Sequence, residues 1–185
     1  AMTMARQLHE SDATVERRFS FYDEGKGYEQ SLLARGPIDV TDWADMEAQA
    51  TELHKLLEAE SSEPVLCHND FFSLNFLVEE NGNISLIDWE YAGMSDYAND
   101  FGTFCVCDQL DEEEMHRALT HYFGRTPTDA EWRHNLAQVG MAGWCWYAWS
   151  LLKESEGENV GELAYIYYRY GKTYLKKALD LYKQQ

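Results

Sequence analysis

The sequence predicts an α+β fold that is predominantly helical and contains one small β region. Apolar residues recur at helical spacing over long segments on both sides of residues 64–88, whereas that segment holds two short runs of β-forming residues. The chain of 185 residues is 45% hydrophobic with only three prolines, so it can bury a core. A single domain is therefore expected.

The first predicted helix runs from about Thr41 to Glu60. Its apolar residues, from Trp43 to Leu57, follow a helical period, and Thr41 has a side chain suited to an N-cap. Pro64 ends the pattern because proline does not continue a helix. We expect an amphipathic surface helix here.

Residues 64–88 are predicted to form short strands and loops. The run NFLVEENGNISLID contains Asn81-Gly82, a dipeptide typical of hairpin turns. A hairpin that leaves from Asn75 and returns through Ile84 would carry Asp88 back beside its own starting point.

Three further helices are predicted after the β region. One follows Asp111 and stops at Gly124, the next opens with the capping box Thr128-Asp-Ala-Glu and continues to about Glu154, and the last covers Gly161 to Lys183. The middle helix includes the run NLAQVGMAGWCWYAWSLL, whose strictly apolar part is shorter than the ~20 residues of a membrane span. A buried helix is expected there, without membrane insertion.

The formal charge of -18 disfavours nucleic acid and anionic membrane surfaces as partners and favours a cationic small molecule, although solubility alone would also account for it. The first ten residues lack the apolar core of a signal peptide, and the four cysteines show no paired spacing. Reduced thiols and a cytoplasmic location are therefore expected.

The segment CHNDFFSLN places His68, Asp70 and Asn75 in the spacing H-x-D-x-x-x-x-N. Phosphoryl transfer to a hydroxyl needs a carboxylate that orients the hydroxyl and accepts its proton, and oxygen ligands that hold magnesium. We assign the first role to Asp70 and the second to Asn75 and Asp88. Either loop residue taken alone would more often cap a turn.

Asp100-Phe101-Gly102 has the letters of the metal-binding loop of a protein kinase, but no predicted strand returns it to Asn75. Asp100 is instead expected to cap the following helix or to accept backbone hydrogen bonds behind the catalytic loop. His68, two residues before the carboxylate, is expected to brace the loop rather than to bind zinc. Both are structural supports in this interpretation.

With His68-Asn69-Asp70, Asn75 and the run Ile-Asp-Trp-Glu-Tyr at residues 87–91, the sequence resembles the choline/ethanolamine kinase group of the aminoglycoside-phosphotransferase-like kinases. The resemblance extends from about Leu8 to the C-terminus. It implies the C-terminal lobe of a kinase over residues 1–185, with ATP as phosphoryl donor and Mg²⁺ held by Asn75 and Asp88.

Aromatic residues that resemble the choline-binding box of that group follow on the last two helices. Trp146 and Trp149 are three residues apart on one helix, Tyr165 and Tyr168 have the same spacing on the next, and Tyr91 adjoins the metal carboxylate. Ring faces bind quaternary ammonium groups. The alternative is that these rings only pack in the core.

The expected function is phosphorylation of choline to phosphocholine. A kinase of ethanolamine, thiamine or an aminoglycoside, and a non-catalytic module that binds quaternary ammonium groups, remain as alternatives. No glycine-rich phosphate loop or lysine-bearing strand precedes Asp70, and DEGKGYE at residues 23–29 lacks the context of such a loop. The resemblance therefore implies an N-terminal ATP-binding lobe that is absent from this chain, and leaves the activity of the lone lobe open.

Overall fold

A computed structural model describes residues 1–60 and 62–184. The α+β prediction is confirmed: the described residues form a mostly helical body with two small antiparallel ribbons. The helices are α1 Met2–His9, α2 Phe21–Leu33, α3 Trp43–Glu60, α4 Ala98–Cys107, α5 Glu112–Phe123, α6 Asp129–Ser155 and α7 Gly161–Lys183. The strands are β1 Val65–Cys67, β2 Phe76–Val78, β3 Ile84–Leu86 and β4 Gly93–Ser95.

Helix α6 is the central element and packs against α2, α3, α4 and α7. Its contact with α7 is a close backbone approach, since a Cβ atom added to Gly143 would lie 2.4 Å from the backbone nitrogen of Gly171. Trp144, fully buried on α6, packs beneath α2 and contacts the rings of Tyr22 and Trp43. The uncharged run is thus a buried helix, and no helix among the described residues could cross a bilayer.

The predicted helix ends are mostly confirmed. The predicted capping box at Thr128 forms and caps α6, and Gly124 ends α5 at a φ of 68°. A second capping box, not predicted, forms at Asp111 and caps α5. Thr41 as an N-cap is wrong. Helix α3 begins at Trp43, so the residue before it is Asp42, whose carboxylate accepts a hydrogen bond from the Tyr168 hydroxyl instead (2.8 Å).

Three helices lie where the sequence predicts no element bounds: α1, α2 and α4. The segment DEGKGYE lies inside α2, so it is not a phosphate-binding loop in this structure. Gly25 within it lies against the indole ring of Trp144, where a side chain would collide with the ring. Gly25 therefore allows α2 to pack closely against Trp144.

The β region contains the predicted hairpin. Strands β2 and β3 pair with Phe76 opposite Leu86, and Gly82 turns the chain at a φ of 85°. Strand β1 pairs with β4, which the chain reaches only after the hairpin, with Val65 opposite Ser95. The chain passes from β1 into the loop that carries Asp70 and Asn75, and it enters β4 after Asp88. The paired strands β1 and β4 therefore hold both ends of the segment that contains the candidate site residues.

Candidate active site

Asp70 and Asn75 are held together in the loop between β1 and β2. The Asn75 side-chain nitrogen donates to the Asp70 carboxylate (2.9 Å) and to the Asp70 carbonyl oxygen (2.7 Å). Asn75 is buried at the end of a short 3-10 turn, Ser73–Asn75. Because the amide nitrogen is used for Asp70, the amide oxygen remains available, and it accepts no hydrogen bond from any described residue.

The hairpin brings Asp88 to the same place. Past the last β2–β3 pair, the Ile87 backbone N–H donates to the Asn75 carbonyl oxygen (3.0 Å). Asp88 follows in the left-handed region, at a φ of 64°, which turns the chain into the 3-10 turn Trp89–Tyr91. Its exposed carboxylate has no hydrogen bond or ion pair with any described residue. An amide oxygen and a free carboxylate are hard ligands that suit Mg²⁺, so the residues present fit that ion.

The Asp70 carboxyl is half-buried, and its surroundings favour the protonated form. Burial raises its pKa, the charges of Asp88 and Glu90 raise it further, and the hydrogen bond from Asn75 opposes the shift. A carboxylate with a raised pKa is a stronger base once it is ionised. This environment suits a residue that must accept a proton from an alcohol.

Asp100 supports the catalytic loop from within α4. Its two carboxylate oxygens accept the backbone N–H groups of His68 (3.1 Å) and Asn69 (2.6 Å), and it is completely buried. His9 donates its Nε2–H to the same carboxylate (3.0 Å). Asp100 lies in the first turn of α4, so it is not the N-cap of that helix. His9, Cys67 and Asp100 offer ligand atoms within 4.8 Å of one another, but the carboxylate oxygens already have these donors.

His68 links the loop to the hairpin. Its Nε2 lies 2.9 Å from the Ile87 carbonyl oxygen, and because a carbonyl can only accept, Nε2 carries the proton. The ring is fully buried and meets Trp89 edge-on at a centroid distance of 4.9 Å. His68 therefore holds the residue before Asp88 in place, which is a positioning contact.

A second carboxylate of α4, missed in the sequence, holds the far side of the loop. Asp108, the C-terminal cap of α4, accepts the Ser73 backbone N–H (3.0 Å) and the Ser73 hydroxyl. Between the two carboxylates the Thr103 hydroxyl donates to the Asn69 carbonyl oxygen (3.0 Å). The signal available beforehand was the helical spacing of Asp100 and Asp108, two turns apart on one helix.

Three of the five aromatic residues named above come together beside the loop. Tyr91 meets Trp146 edge-on at a centroid distance of 5.1 Å, and Trp146 meets Trp149 at 6.4 Å. We call Tyr91, Trp146 and Trp149 the ring cluster. The structure does not join Tyr165 to it, as that side chain is 65% exposed with no ring contact to any described residue. Tyr168 lies instead with Tyr147, at 5.3 Å.

Tyr167, not named from the sequence, is the α7 tyrosine that faces the catalytic loop. It is buried, and the pKa of its phenol is raised by burial and then by Cys107, with the charge of Asp70 contributing. Arg17 was also missed. Its guanidinium lies 5.9 Å from the Tyr91 ring centroid and donates to the Glu90 carbonyl oxygen. One side of the ring cluster thus already has a cation.

The fold is that of a kinase-like lobe. The chain belongs to the phosphotransferase enzyme family, which it matches over residues 2–134. Protein LicA of Haemophilus influenzae is 27% identical over 168 residues, which cover 85% of this chain and 61% of the relative. The chain therefore spans less than two thirds of that relative's length.

Solved structures share the fold. The choline kinase LicA from Streptococcus pneumoniae has a TM-score of 0.82 at 24% identity, covering 95% of this chain and 62% of its own. A structure of LicA in complex with AMP has the same TM-score at 22% identity, covering 96% of this chain and 61% of its own. At these identities the likeness concerns the fold.

Proposed function

We propose that this chain is the catalytic and substrate-binding lobe of an ATP-dependent kinase that phosphorylates choline. The observation that carries the proposal is the pairing of Asn75 with Asp70 on one side and with the returning hairpin on the other. This arrangement supports the proposed roles of Asp70 as proton acceptor and of Asn75 and Asp88 as oxygen ligands. The family match and the AMP complex of the related LicA fold support a nucleotide as donor.

In this proposal Asp70 accepts a hydrogen bond from the substrate hydroxyl and takes its proton as the oxygen attacks the terminal phosphoryl group of ATP. The bond from that phosphorus to the β-phosphate oxygen breaks, and ADP leaves. Asn75 fixes the Asp70 carboxylate, which keeps it aimed at the hydroxyl. Asn75 and Asp88 would hold Mg²⁺, which when bound neutralises the charge of the nucleotide phosphates. His68, Asp100 and Asp108 keep the loop in shape but do not touch the reactants.

The ring cluster, together with Tyr167, is the proposed binding site for the substrate cation. A trimethylammonium group has no N–H to donate, so it gains most from ring faces and from nearby carboxylates such as Asp70. Ethanolamine carries three N–H donors, which prefer oxygen acceptors. An aromatic site therefore favours choline, with ethanolamine, thiamine or an aminoglycoside as the runner-up substrates.

We further propose that the hairpin face receives a second, nucleotide-binding lobe. Apolar side chains on both faces of the hairpin are open to solvent, with Leu77 54%, Val78 65% and Ile87 43% exposed. Contiguous exposed apolar residues next to a site mark an interaction surface. The chain spans 61% of LicA of Haemophilus influenzae, so the rest of that relative has room for such a lobe.

Calorimetry with choline, with and without Mg²⁺ and ATP, tests these proposals. We expect choline to bind the chain, and phosphocholine to form when the chain is part of the full-length protein. Replacing Asp70 by Ala in that protein should lower turnover by roughly 10²–10⁴ while choline still binds. A near-normal rate would refute the base assignment. Choline binding without phosphoryl transfer in the full-length protein would support the non-catalytic module instead.

A further inference from the structure

Arg17 places a positive charge at the ring cluster before any substrate binds. Its guanidinium lies 5.9 Å from the ring centroid of Tyr91 and 5.9 Å from that of Phe19. Cation–π attraction acts within about 6 Å of a ring centroid, so both rings attract this cation. Arg17 is therefore an internal cation in the part of the molecule that we propose for a cationic substrate.

Two oxygen acceptors hold the guanidinium in this position. One nitrogen, Nη1, donates to the Glu90 carbonyl oxygen, and the other, Nη2, lies 3.4 Å from the Glu24 carboxylate. The backbone is fixed as well, because the Arg17 carbonyl oxygen accepts the Met94 N–H of β4 (2.8 Å). The two charged side chains are nevertheless partly exposed, by 41% for Arg17 and 30% for Glu24. Exposed ion pairs are weak, so another cation can replace the guanidinium.

Glu24 brings its negative charge to the ring cluster from α2. Burial raises the pKa of the Tyr28 phenol, and the charge of Glu24 contributes to the same shift. Burial also raises the pKa of the Cys145 thiol, with Glu24 as the next cause. Cys145 adjoins Trp146 on α6, so the Glu24 charge acts beside the ring cluster. A substrate ammonium would gain from this carboxylate, but in the empty site Arg17 is paired with it.

We propose that Arg17 is a specificity-determining residue that competes with the substrate cation for the Tyr91 ring and the Glu24 carboxylate. This inference rests on the proposed function, since it takes the ring cluster as the substrate site. Two cations that each lie within about 6 Å of one ring centroid are at most ~12 Å apart, so they repel each other. A cationic substrate therefore binds less tightly than the rings and the carboxylate alone would allow. An uncharged ligand of the same shape is not subject to this repulsion.

The test compares choline with its tert-butyl analogue, in which carbon replaces the charged nitrogen. Both are titrated into the chain by calorimetry at about 0.15 M NaCl. Arg17→Gln should tighten choline binding about three- to tenfold, because the variant removes a competing cation and releases the Glu24 carboxylate. The affinity for the tert-butyl analogue should not change.

Arg18→Gln is the matched control. It removes the same formal charge from the neighbouring residue, which is exposed and whose side chain makes no hydrogen bond or ion pair with any described residue. Salt at this concentration screens charges that lie farther from the site. Choline affinity should therefore stay at the wild-type value in Arg18→Gln, and an equal gain in both variants would mean that only the net charge matters.

Weaker or unchanged choline binding in Arg17→Gln would overturn the inference. An equal gain for the tert-butyl analogue would also overturn it, because the variant would then only have opened space. A wild-type chain that binds no choline would instead reject the proposed function itself. A second measurement needs no variant: the Arg17 Nε–H signal in the NMR spectrum should shift on adding choline but not on adding the analogue. An Arg17 signal that stays unchanged at saturating choline would refute the competition.

Discussion

At the scale of single residues, the candidate base is placed where its charge is unfavourable. Burial and the neighbouring carboxylates Asp88 and Glu90 raise the pKa of Asp70, so ionising it destabilises the folded state relative to the unfolded chain. Stability that depends on the protonated form is complete below the unfolded pKa and is lost as pH rises through the folded one. The surroundings that make Asp70 a stronger base therefore also make the folded state less stable when Asp70 is ionised.

Asp70→Asn should accordingly raise the melting temperature at pH 7 while abolishing phosphoryl transfer. The variant amide can still accept the hydrogen bond from Asn75, and it carries no buried charge. The difference in melting temperature should shrink as pH is lowered toward 4, because wild-type Asp70 then becomes protonated. Asp12→Asn, a change at an exposed aspartate, is the control and should leave melting unchanged. A melting temperature lowered by Asp70→Asn would contradict the expectation.

The ring cluster makes a second residue-scale prediction. Trp146→Ala should weaken choline binding by about tenfold or more, since a desolvated ring is worth up to ~2 kcal/mol to a cation. Tyr165→Ala is the matched control, because that ring is 65% exposed and apart from the cluster, and it should bind choline normally. Calorimetry of both variants checks this, and equal losses in the two would remove the ring cluster from substrate binding.

At the scale of elements, α4 acts as the template of the catalytic loop. Asp100 holds the loop at residues 68 and 69, Thr103 holds the Asn69 carbonyl, and Asp108 holds Ser73. These contacts fix both ends of the segment that carries Asp70. A helix therefore determines the position of a loop whose regular structure is limited to one 3-10 turn, Ser73–Asn75.

A double-mutant cycle of Asp108→Ala and Ser73→Ala should show a coupling of about 1 kcal/mol in the free energy of unfolding. Asp108→Ala removes both hydrogen bonds, whereas Ser73→Ala removes only the one from the hydroxyl, so the double variant should lose little more than Asp108→Ala alone. Urea denaturation of the four proteins measures the coupling. Losses that simply add would show that the contact contributes nothing to the folded state.

Local signals predicted some elements and not others. The capping box at Thr128 and the turn at Gly82 depend on nearby residues, so they could be predicted directly. Helix α2 was missed because its apolar positions are few and two of its residues are glycine. On α7, tyrosines at 165, 167, 168 and 170 leave the buried face ambiguous, and only packing against α6 turns Tyr167 toward the site. His9 and Arg17, which contact Asp100 and Tyr91, are distant from them in sequence and belong to no recognisable motif.

At the scale of the whole molecule, His134 joins parts of the chain that are far apart in sequence. Its ring nitrogens bond the carboxylates of Glu60 at the end of α3 (2.8 Å) and of Asp96 before α4 (3.0 Å). The Tyr182 hydroxyl near the end of α7 donates to the same Glu60 carboxylate (2.7 Å). Although burial opposes its charge, these carboxylates raise the pKa of His134 to about 9.

This histidine should make stability depend on pH. Its stabilisation is complete below the ~6.5 of an unfolded histidine and is lost as pH rises through about 9. His134→Leu should cost roughly 3–5 kcal/mol at pH 6, because the partly buried Asp96 carboxylate loses its cation and Glu60 keeps only Arg133, or about 10 °C in melting temperature. The loss should diminish toward pH 10 in thermal melts. A constant difference across that range would exclude a charged His134.

The uncovered hairpin face has a consequence for how the chain behaves in solution. Val78 and Ile84, which are paired across the hairpin on one face, would bring two copies together, and mutual repulsion between molecules of charge -18 opposes this. Raising the salt concentration shortens the reach of that repulsion while strengthening apolar attraction. Light scattering should therefore reveal salt-induced self-association, which Val78→Lys abolishes.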